Sequence, residues 1–201
     1  MVDGPGSQHG PASRLWLARH GETEWSASGR HTSRSDIELT AAGESAAREM
    51  AGRLAGVEFA RVLTSPLRRA RRTAELSGFP DAEVHVDLRE WDYGADEGLT
   101  TPEIRTERPG WTVWSDGPVD GETAEDVGRR ADRVVDLARS MDTPVLVFSH
   151  GHFCRVLGAR WLGLPAAVGA NLRLSTASVS VLGWERETPV VDHWNDTGTL
   201  A

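Results

Sequence analysis

Three short stretches of this chain carry side chains suited to handling an oxyanion. Arg19-His20-Gly21-Glu22 sets an imidazole beside a fixed cation, followed by a glycine that lets backbone and ligand approach closely. Ser149-His150-Gly151-His152 repeats the order histidine, then glycine. Thr64-Ser65-Pro66-Leu67-Arg68-Arg69-Ala70-Arg71-Arg72-Thr73-Ala74 concentrates four arginines in one run. On a helix these cannot share a face: Arg68 and Arg72 stand one turn apart and Arg69 about a third of a circle away. At least two are expected in solvent, and one near the helix start can face a ligand. Guanidinium forks match phosphate oxygens in pairs, and a neutral imidazole is a competent nucleophile. The chemistry on offer is transfer of a phosphoryl group. The same His20, His150 and His152 could instead ligate a metal. No HExxH or carboxylate-rich pattern accompanies them, so no metal and no cofactor are expected.

Composition narrows the field. The 201 residues, 39% of them hydrophobic, suit one compact domain. A net charge of -8 argues against a nucleic-acid partner. All 22 basic residues are arginine, which excludes a Walker lysine and a Schiff-base lysine. Cys154 is the only cysteine, so no internal disulfide or CxxC motif exists; it reads as a small buried side chain rather than a reactive thiol. No apolar run approaches the ~20 residues that span a bilayer, and the polar start lacks signal-peptide design. A cytoplasmic protein without a membrane contact is expected; a homodimer is left open. Residues 1–13 read as a disordered lead-in, and 14–201 as a single domain with an irregular insertion near a site at about 88–121.

The elements that must position these residues can be read from periodicity and caps. Strands are expected at Leu15–Ala18, Arg61–Thr64 and, briefly, Val84–Val86. Helices are expected from Thr40, an N-cap, past Met50 and Leu54 to a stop at Gly56, and from Ser65-Pro66 onward. A Ser/Gly-rich loop is expected over Ser26–Ser35. Thr123 caps a strong helix with an apolar stripe of Val127, Ala131, Val134, Val135 and Ala138. The apolar run Pro144–Phe148 reads as a buried parallel strand, with a helix after it. Two late strands lie near Val179–Trp184 and Val190–Trp194. Such alternation predicts an α/β three-layer sandwich around a mostly parallel central sheet, where ligands bind at the carboxyl ends of strands. Arg19-His20, Ser65–Arg69 and His150 all follow predicted strands.

Five pieces in order carry a family resemblance: Arg19-His20-Gly21-Glu22-Thr23, Leu39-Thr40-x-x-Gly43, Thr64-Ser65-x-x-x-Arg69-Ala70-x-x-Thr73-Ala74, Leu88-x-Glu90-x-x-Tyr93-Gly94-x-x-Glu97-Gly98 and Ser149-His150-Gly151. The chain resembles the histidine phosphatase superfamily, also called phosphoglycerate mutase-like. The resemblance implies that His20 is the nucleophile, that Arg19, Arg69 and His150 line the phosphate pocket, and that Glu90 is the general acid. It places Ser26 and Thr32 at phosphate- and substrate-contacting positions, with the Gly151 N–H as a further contact; Tyr93 either packs or touches substrate. His20 must attack as a neutral ring with its other nitrogen held as N–H. A charged His150 would add a third cation, and a protonated Glu90 with a charged His150 implies an optimum on the acid side.

Within the family, Thr101 stands where mutases carry lysine, Ser33 where they carry glycine, and the span from Gly98 to Gly121 is too short for an enclosing insertion. Further pieces, among them Leu88-Arg89-Glu90-Trp91-Asp92-Tyr93-Gly94 and His150-Gly151-His152, resemble the actinobacterial acid phosphatase-like branch. The expectation is a metal-independent phosphatase of small monoesters, sugar phosphates among them, working through a phosphohistidine. A cofactor-dependent phosphoglycerate mutase and an inactive phospho-ligand binding module are the alternatives.

Overall fold

The computed structural model of the chain describes residues 12–198. The expected lead-in therefore lies almost wholly outside the described residues, although Ser13 is already buried and accepts a hydrogen bond from the Trp184 indole at 3.1 Å. Strand β1 is Leu15–Arg19. A short helix α1, Glu24–Ser28, interrupts the loop expected from Ser26. Its cause is local: Thr23 accepts from Ser26 N while the Ser26 hydroxyl accepts from Thr23 N, a capping box with serine in the returning position. Helix α2, Ala41–Leu54, starts at Thr40 as expected, with the threonine side chain accepting from Gly43 N. Strand β2 (Arg61–Thr64) leads into α3 (Arg68–Leu76). Strand β3 is only Glu83–Val84, because the chain tightens into a 3-10 turn at Val86–Leu88.

The span 88–121 is less irregular than its sequence suggests. It holds a 3-10 turn at Gly94–Asp96 and a helix α4, Thr101–Glu107. Thr100 and Glu103 form a reciprocal capping box, with Pro102 in the first turn. Then follow α5 (Ala124–Arg139, capped by Thr123), β4 (Val145–Ser149), α6 (Gly151–Trp161), a 3-10 stretch Ala166–Asn171, β5 (Val179–Glu185) and β6 (Thr188–Asp196).

The six strands form one sheet in the order β3-β2-β4-β1-β5-β6. The half containing β3, β2, β4 and β1 is parallel; β5 runs antiparallel to both β1 and β6. The sheet is thus mixed, parallel where the motifs sit. Alternation along β1 and β4 divides the core. Leu15, Leu17, Val145 and Val147 pack with Val127, Val134, Phe153 and Leu157 of α5 and α6. Ala18, Leu146 and Phe148 pack with Met50, Leu54 and Ala74 of α2 and α3. Helices on both faces of the sheet complete three layers.

Register brings the motifs together. Central β4 pairs Arg19 with Ser149 on one side and Thr64 with Phe148 on the other. The ladder continues one step beyond the strands, since His20 N donates to Ser149 O at 2.9 Å and Ser65 N to Phe148 O at 2.9 Å. Three loops separated by scores of residues therefore leave the sheet side by side.

Candidate active site

Glycine and threonine knit these loops into a floor. A Cβ on Gly21 would stand 2.4 Å from Gly43 O, and one on Gly43 would stand 2.2 Å from Glu22 O. Only two glycines let the turn after β1 rest on the first turn of α2. Thr40 reinforces the contact by donating to the Glu22 carboxylate at 2.9 Å. From the other side, Gly21 N donates to Thr73 Oγ1 at 3.0 Å. The spacing of the first three motifs is thus the spacing of one packed joint.

His20 sits on this joint, buried. Its Nδ1–H donates to Gly21 O at 2.7 Å, so the lone pair is on Nε2. Burial, and then the charges of Arg69 and Arg19, hold the ring well below the ordinary imidazole range. The ring is thus neutral and oriented, the state that the sequence reading asks of a nucleophile.

Arg69 and His150 lie behind His20, both fully buried. Arg69 donates to Ser35 O, Thr32 O and Ser33 O, and its Nε donates to His150 Nδ1 at 3.2 Å. Because Nδ1 accepts, the proton of His150 is on Nε2, which donates to Ser65 Oγ at 2.8 Å. The His20 and His150 rings meet edge-on at 5.1 Å. The expected third cation is therefore absent: burial, then the neighbouring Arg69, keep His150 neutral. Nor do Arg69 and His150 reach the cleft wall. They lie beneath it, where Arg69 also fastens the 32–35 loop.

Above the floor is a cleft of about 380 Å³. Arg19, His20, Ser26, Thr32, Glu90, Tyr93 and Gly151 line it, seven residues that the sequence singles out. Arg19 donates to Leu174 O at 2.5 Å, while its Nε is buried with no hydrogen-bond partner. An unanswered buried cationic donor costs about 1–3 kcal/mol or more. Gly151 is required by the same guanidinium, since a Cβ there would lie 3.1 Å from Arg19 Cζ. Ser26 and Thr32 spend their hydroxyl protons on Thr23 O and Arg30 O, leaving oxygen lone pairs toward ligands.

Glu90 sits at the start of α6. Its Oε1 accepts from Trp91 N and Phe153 N, both at 2.9 Å, and its Oε2 accepts from His152 N at 3.0 Å. Oε1 has both lone pairs engaged, and Oε2 keeps one. Arg130 of α5 braces this carboxylate through the backbone: it donates to Asp87 O, Arg89 O and Glu90 O while forked onto Glu122. The sequence reading missed Arg130; its signal is an arginine on the apolar stripe of α5, between Val127 and Val134. Also missed on the outer wall of the cleft are His31, Arg155 and Leu174; residues 111–114, which complete it, belong to the insertion expected near the site. There Tyr93, whose phenol burial holds well above its ordinary range, shares a hydrogen bond with His152 Nδ1 at 2.5 Å. Cys154 is buried and its thiol is pushed up to about 12, which leaves it inert. Among the described residues, no group of three or more His, Cys, Asp or Glu is placed to hold a metal ion.

The arrangement joins a neutral imidazole, an unsatisfied guanidinium and a carboxyl group around one space. Comparison with known proteins agrees. Residues 15–197 match the family model described as histidine phosphatase superfamily (branch 1). The chain is 46% identical over 177 residues to an acid phosphatase of Mycobacterium tuberculosis, covering 86% of this chain and 87% of that one. It is 35% identical over 185 residues to sedoheptulose 1,7-bisphosphatase of Saccharomyces cerevisiae, covering 75% and 68%. A solved structure of an open reading frame from M. tuberculosis superposes with a TM-score of 0.89 at 42% identity, over 93% of this chain and 99% of that one.

Proposed function

This chain belongs to the histidine phosphatase superfamily, branch 1, and is a phosphatase; on that premise we propose the residues and the steps by which it works. The substrate is a small phosphate monoester, with sugar phosphates as the favoured class. The observation that carries the reading is His20: a neutral ring, pinned through Nδ1 to Gly21 O, lining the same cleft as Arg19 and Glu90.

Phosphoryl transfer asks chiefly for alignment and charge stabilisation. Arg19 receives the phosphate oxygens with its guanidinium, joined by the Gly151 N–H and, once their hydroxyl protons turn away from Thr23 O and Arg30 O, by Ser26 and Thr32. His20 Nε2 forms a bond to phosphorus in line as the ester P–O bond breaks. The departing oxygen takes a proton from Glu90, carried on Oε2, the oxygen with a free lone pair. Water then attacks the phosphohistidine, gives its proton to the Glu90 carboxylate, and His20 leaves neutral. Arg69 and neutral His150 act from beneath: their fixed charge and ring edge hold His20 in place and stabilise the added negative charge. No metal enters these steps, and every residue named comes from one chain. A cytoplasmic small-molecule role suits them.

Ser33 and Thr101 favour hydrolysis over mutase action. The Ser33 N–H is spent on both Glu97 carboxylate oxygens at 2.9 Å, so it is not offered to a substrate carboxylate. Phosphate release from a panel of monoesters, run beside a coupled mutase assay primed with bisphosphoglycerate, tests the reading. Release with negligible interconversion of 2- and 3-phosphoglycerate is expected. Mutase turnover equal to or above release would overturn it.

A further inference from the structure

Glu90, the proton donor, lies on a segment without a ladder of its own. Between the 3-10 turns at Val86–Leu88 and Gly94–Asp96, residues 89–93 are neither helix nor strand. Their backbone groups must be met from elsewhere, and one ion pair that the phosphatase steps leave unused, Arg130 with Glu122, meets many of them.

Arg130 spends all five of its guanidinium protons. Two go to Glu122, Nε to Oε1 and Nη2 to Oε2, each at 2.7 Å. Three go to carbonyls, those of Asp87 at 2.7 Å, Arg89 at 3.1 Å and Glu90 at 3.3 Å. Glu122 holds the residues that follow. Its Oε2 accepts from Asp92 N and its own N donates to Asp92 O, both at 2.9 Å, while its carbonyl accepts from the Trp91 indole at 2.7 Å. The pair thus grips the chain on both sides of Glu90 without lining the cleft. Arg130 also lies over the Phe153 ring, 4.8 Å from its centroid, and Phe153 N is one of the three amides that hold the Glu90 carboxylate. Backbone and carboxylate of Glu90 are therefore tied to the same guanidinium.

This ion pair is set unusually deep. The Arg130 side chain is 8% exposed, whereas every other arginine in an ion pair among the described residues is at least 31% exposed. A buried ion pair is a weak source of stability, since desolvating two charges offsets their attraction. Beside Val127, Ala131 and Val134 on α5, an apolar side chain would serve the core as well. It could not hold residues 87–92 at fixed points.

We propose that Arg130 and Glu122 are positioning residues for proton transfer, fixing the Glu90 carboxyl where it meets the leaving oxygen. The proposal rests on the reading of Glu90 as general acid. Proton delivery needs a heavy-atom separation of about 2.6–3.2 Å, so a small drift of the segment slows that step alone. The test compares kcat/KM, which covers the steps up to transfer onto His20, for nitrophenyl phosphate and for the fastest alkyl ester of the monoester panel. Arg130→Lys keeps the charge but loses the planar fork. It should lower kcat/KM for the alkyl ester about tenfold or more, and for the nitrophenyl ester by no more than about twofold. Glu122→Gln should show the same selectivity more weakly, and it decides the matter if Arg130→Lys fails to fold. In a Glu90→Gln background neither change should cost anything further on the alkyl ester, because the group they position no longer delivers a proton. Equal losses on both esters, losses that persist beside Glu90→Gln, or no loss in the folded variants would overturn the positioning role and leave the phosphatase standing. A Glu90→Gln protein that loses equally on both esters overturns the general-acid reading itself.

Discussion

The floor and the outer wall of the cleft are built on different principles. The floor comes from the ends of β1, β2 and β4, and apart from the Arg19 Nε its polar groups are largely bound to one another or to backbone: His20 to Gly21 O, His150 to Arg69 and Ser65, Gly21 N to Thr73. The wall comes from α4, the 111–114 segment, Arg155 of α6 and Leu174, where Trp114 is half-buried and Arg105 exposed. A floor so bonded can hold a reacting atom in one place; a wall of rings and long cations can accept different bodies behind the same phosphate. Chemistry is thereby separated from selection, and substitutions in the two regions should act on different kinetic constants.

The sharpest break is expected from His20→Ala. With the attacking nitrogen gone, turnover should fall by about 10⁴-fold or more, and no acid-labile, alkali-stable phosphoenzyme should form. A fully active variant, or label on Ser26, would remove His20 from its role. Glu90→Gln should cost roughly 10²–10⁴ in kcat on substrates with poor leaving groups, and much less on a nitrophenyl ester, whose leaving oxygen needs little protonation. An equal loss on both would mean that Glu90 does not deliver a proton. Gly151→Ala tests the floor from outside the reacting groups. The new Cβ presses on Arg19 at 3.1 Å, and displacing that guanidinium by a fraction of an ångström should lower kcat by about tenfold, with thermal stability little changed. On the wall, Trp114→Phe should raise KM a few-fold and leave kcat within about twofold. A kcat loss as large as that of Gly151→Ala would erase the distinction between the two regions.

The floor also carries a signature in stability. His20, His150 and His152 are all held well below the ordinary imidazole range by burial. Unfolding releases them to a value near 6.5, so below that pH the unfolded chain binds more protons than the folded one. Stability should fall as pH drops from about 6.5, by up to about 1.4 kcal/mol per pH unit for each ring. Urea midpoints between pH 7.5 and 5 check this, and His150→Asn should show a shallower fall. The same depressed affinity keeps His20 neutral on the acid side, so activity should persist well below pH 6.5, until His20 charges. EDTA should leave phosphate release unchanged, the smallest effect of all; a loss restored by a divalent ion would overturn the metal-free steps.

Much of this was legible in the sequence because it is local. A capping threonine, an apolar run or a strand-end histidine announces itself within a few residues, and so α2, α5, β2 and β4 fall within a residue or two of where the periodicity puts them. Two local signals were overlooked, the Thr23–Ser26 and Thr100–Glu103 capping boxes that create α1 and α4. The identities of Arg19, His20, Glu90 and Gly151 as cleft-lining residues were also within reach, since their order along the chain is itself a pattern. What no residue announces alone is its protonation and its depth. His150 reads as a candidate cation, yet its burial just beyond the end of β4, beside Arg69 and Arg19, holds its ring well below the ordinary imidazole range. Arg69 reads as a residue lining the phosphate pocket, and the packed structure makes it the fully buried anchor of the 32–35 loop. Arg130 reads as an interruption of an apolar stripe and proves to brace the backbone of Glu90 from another helix. Sequence fixes which groups are available. Desolvation and the charges brought in by distant segments decide which of them are ionised and which way they face, and those depend on the packed whole.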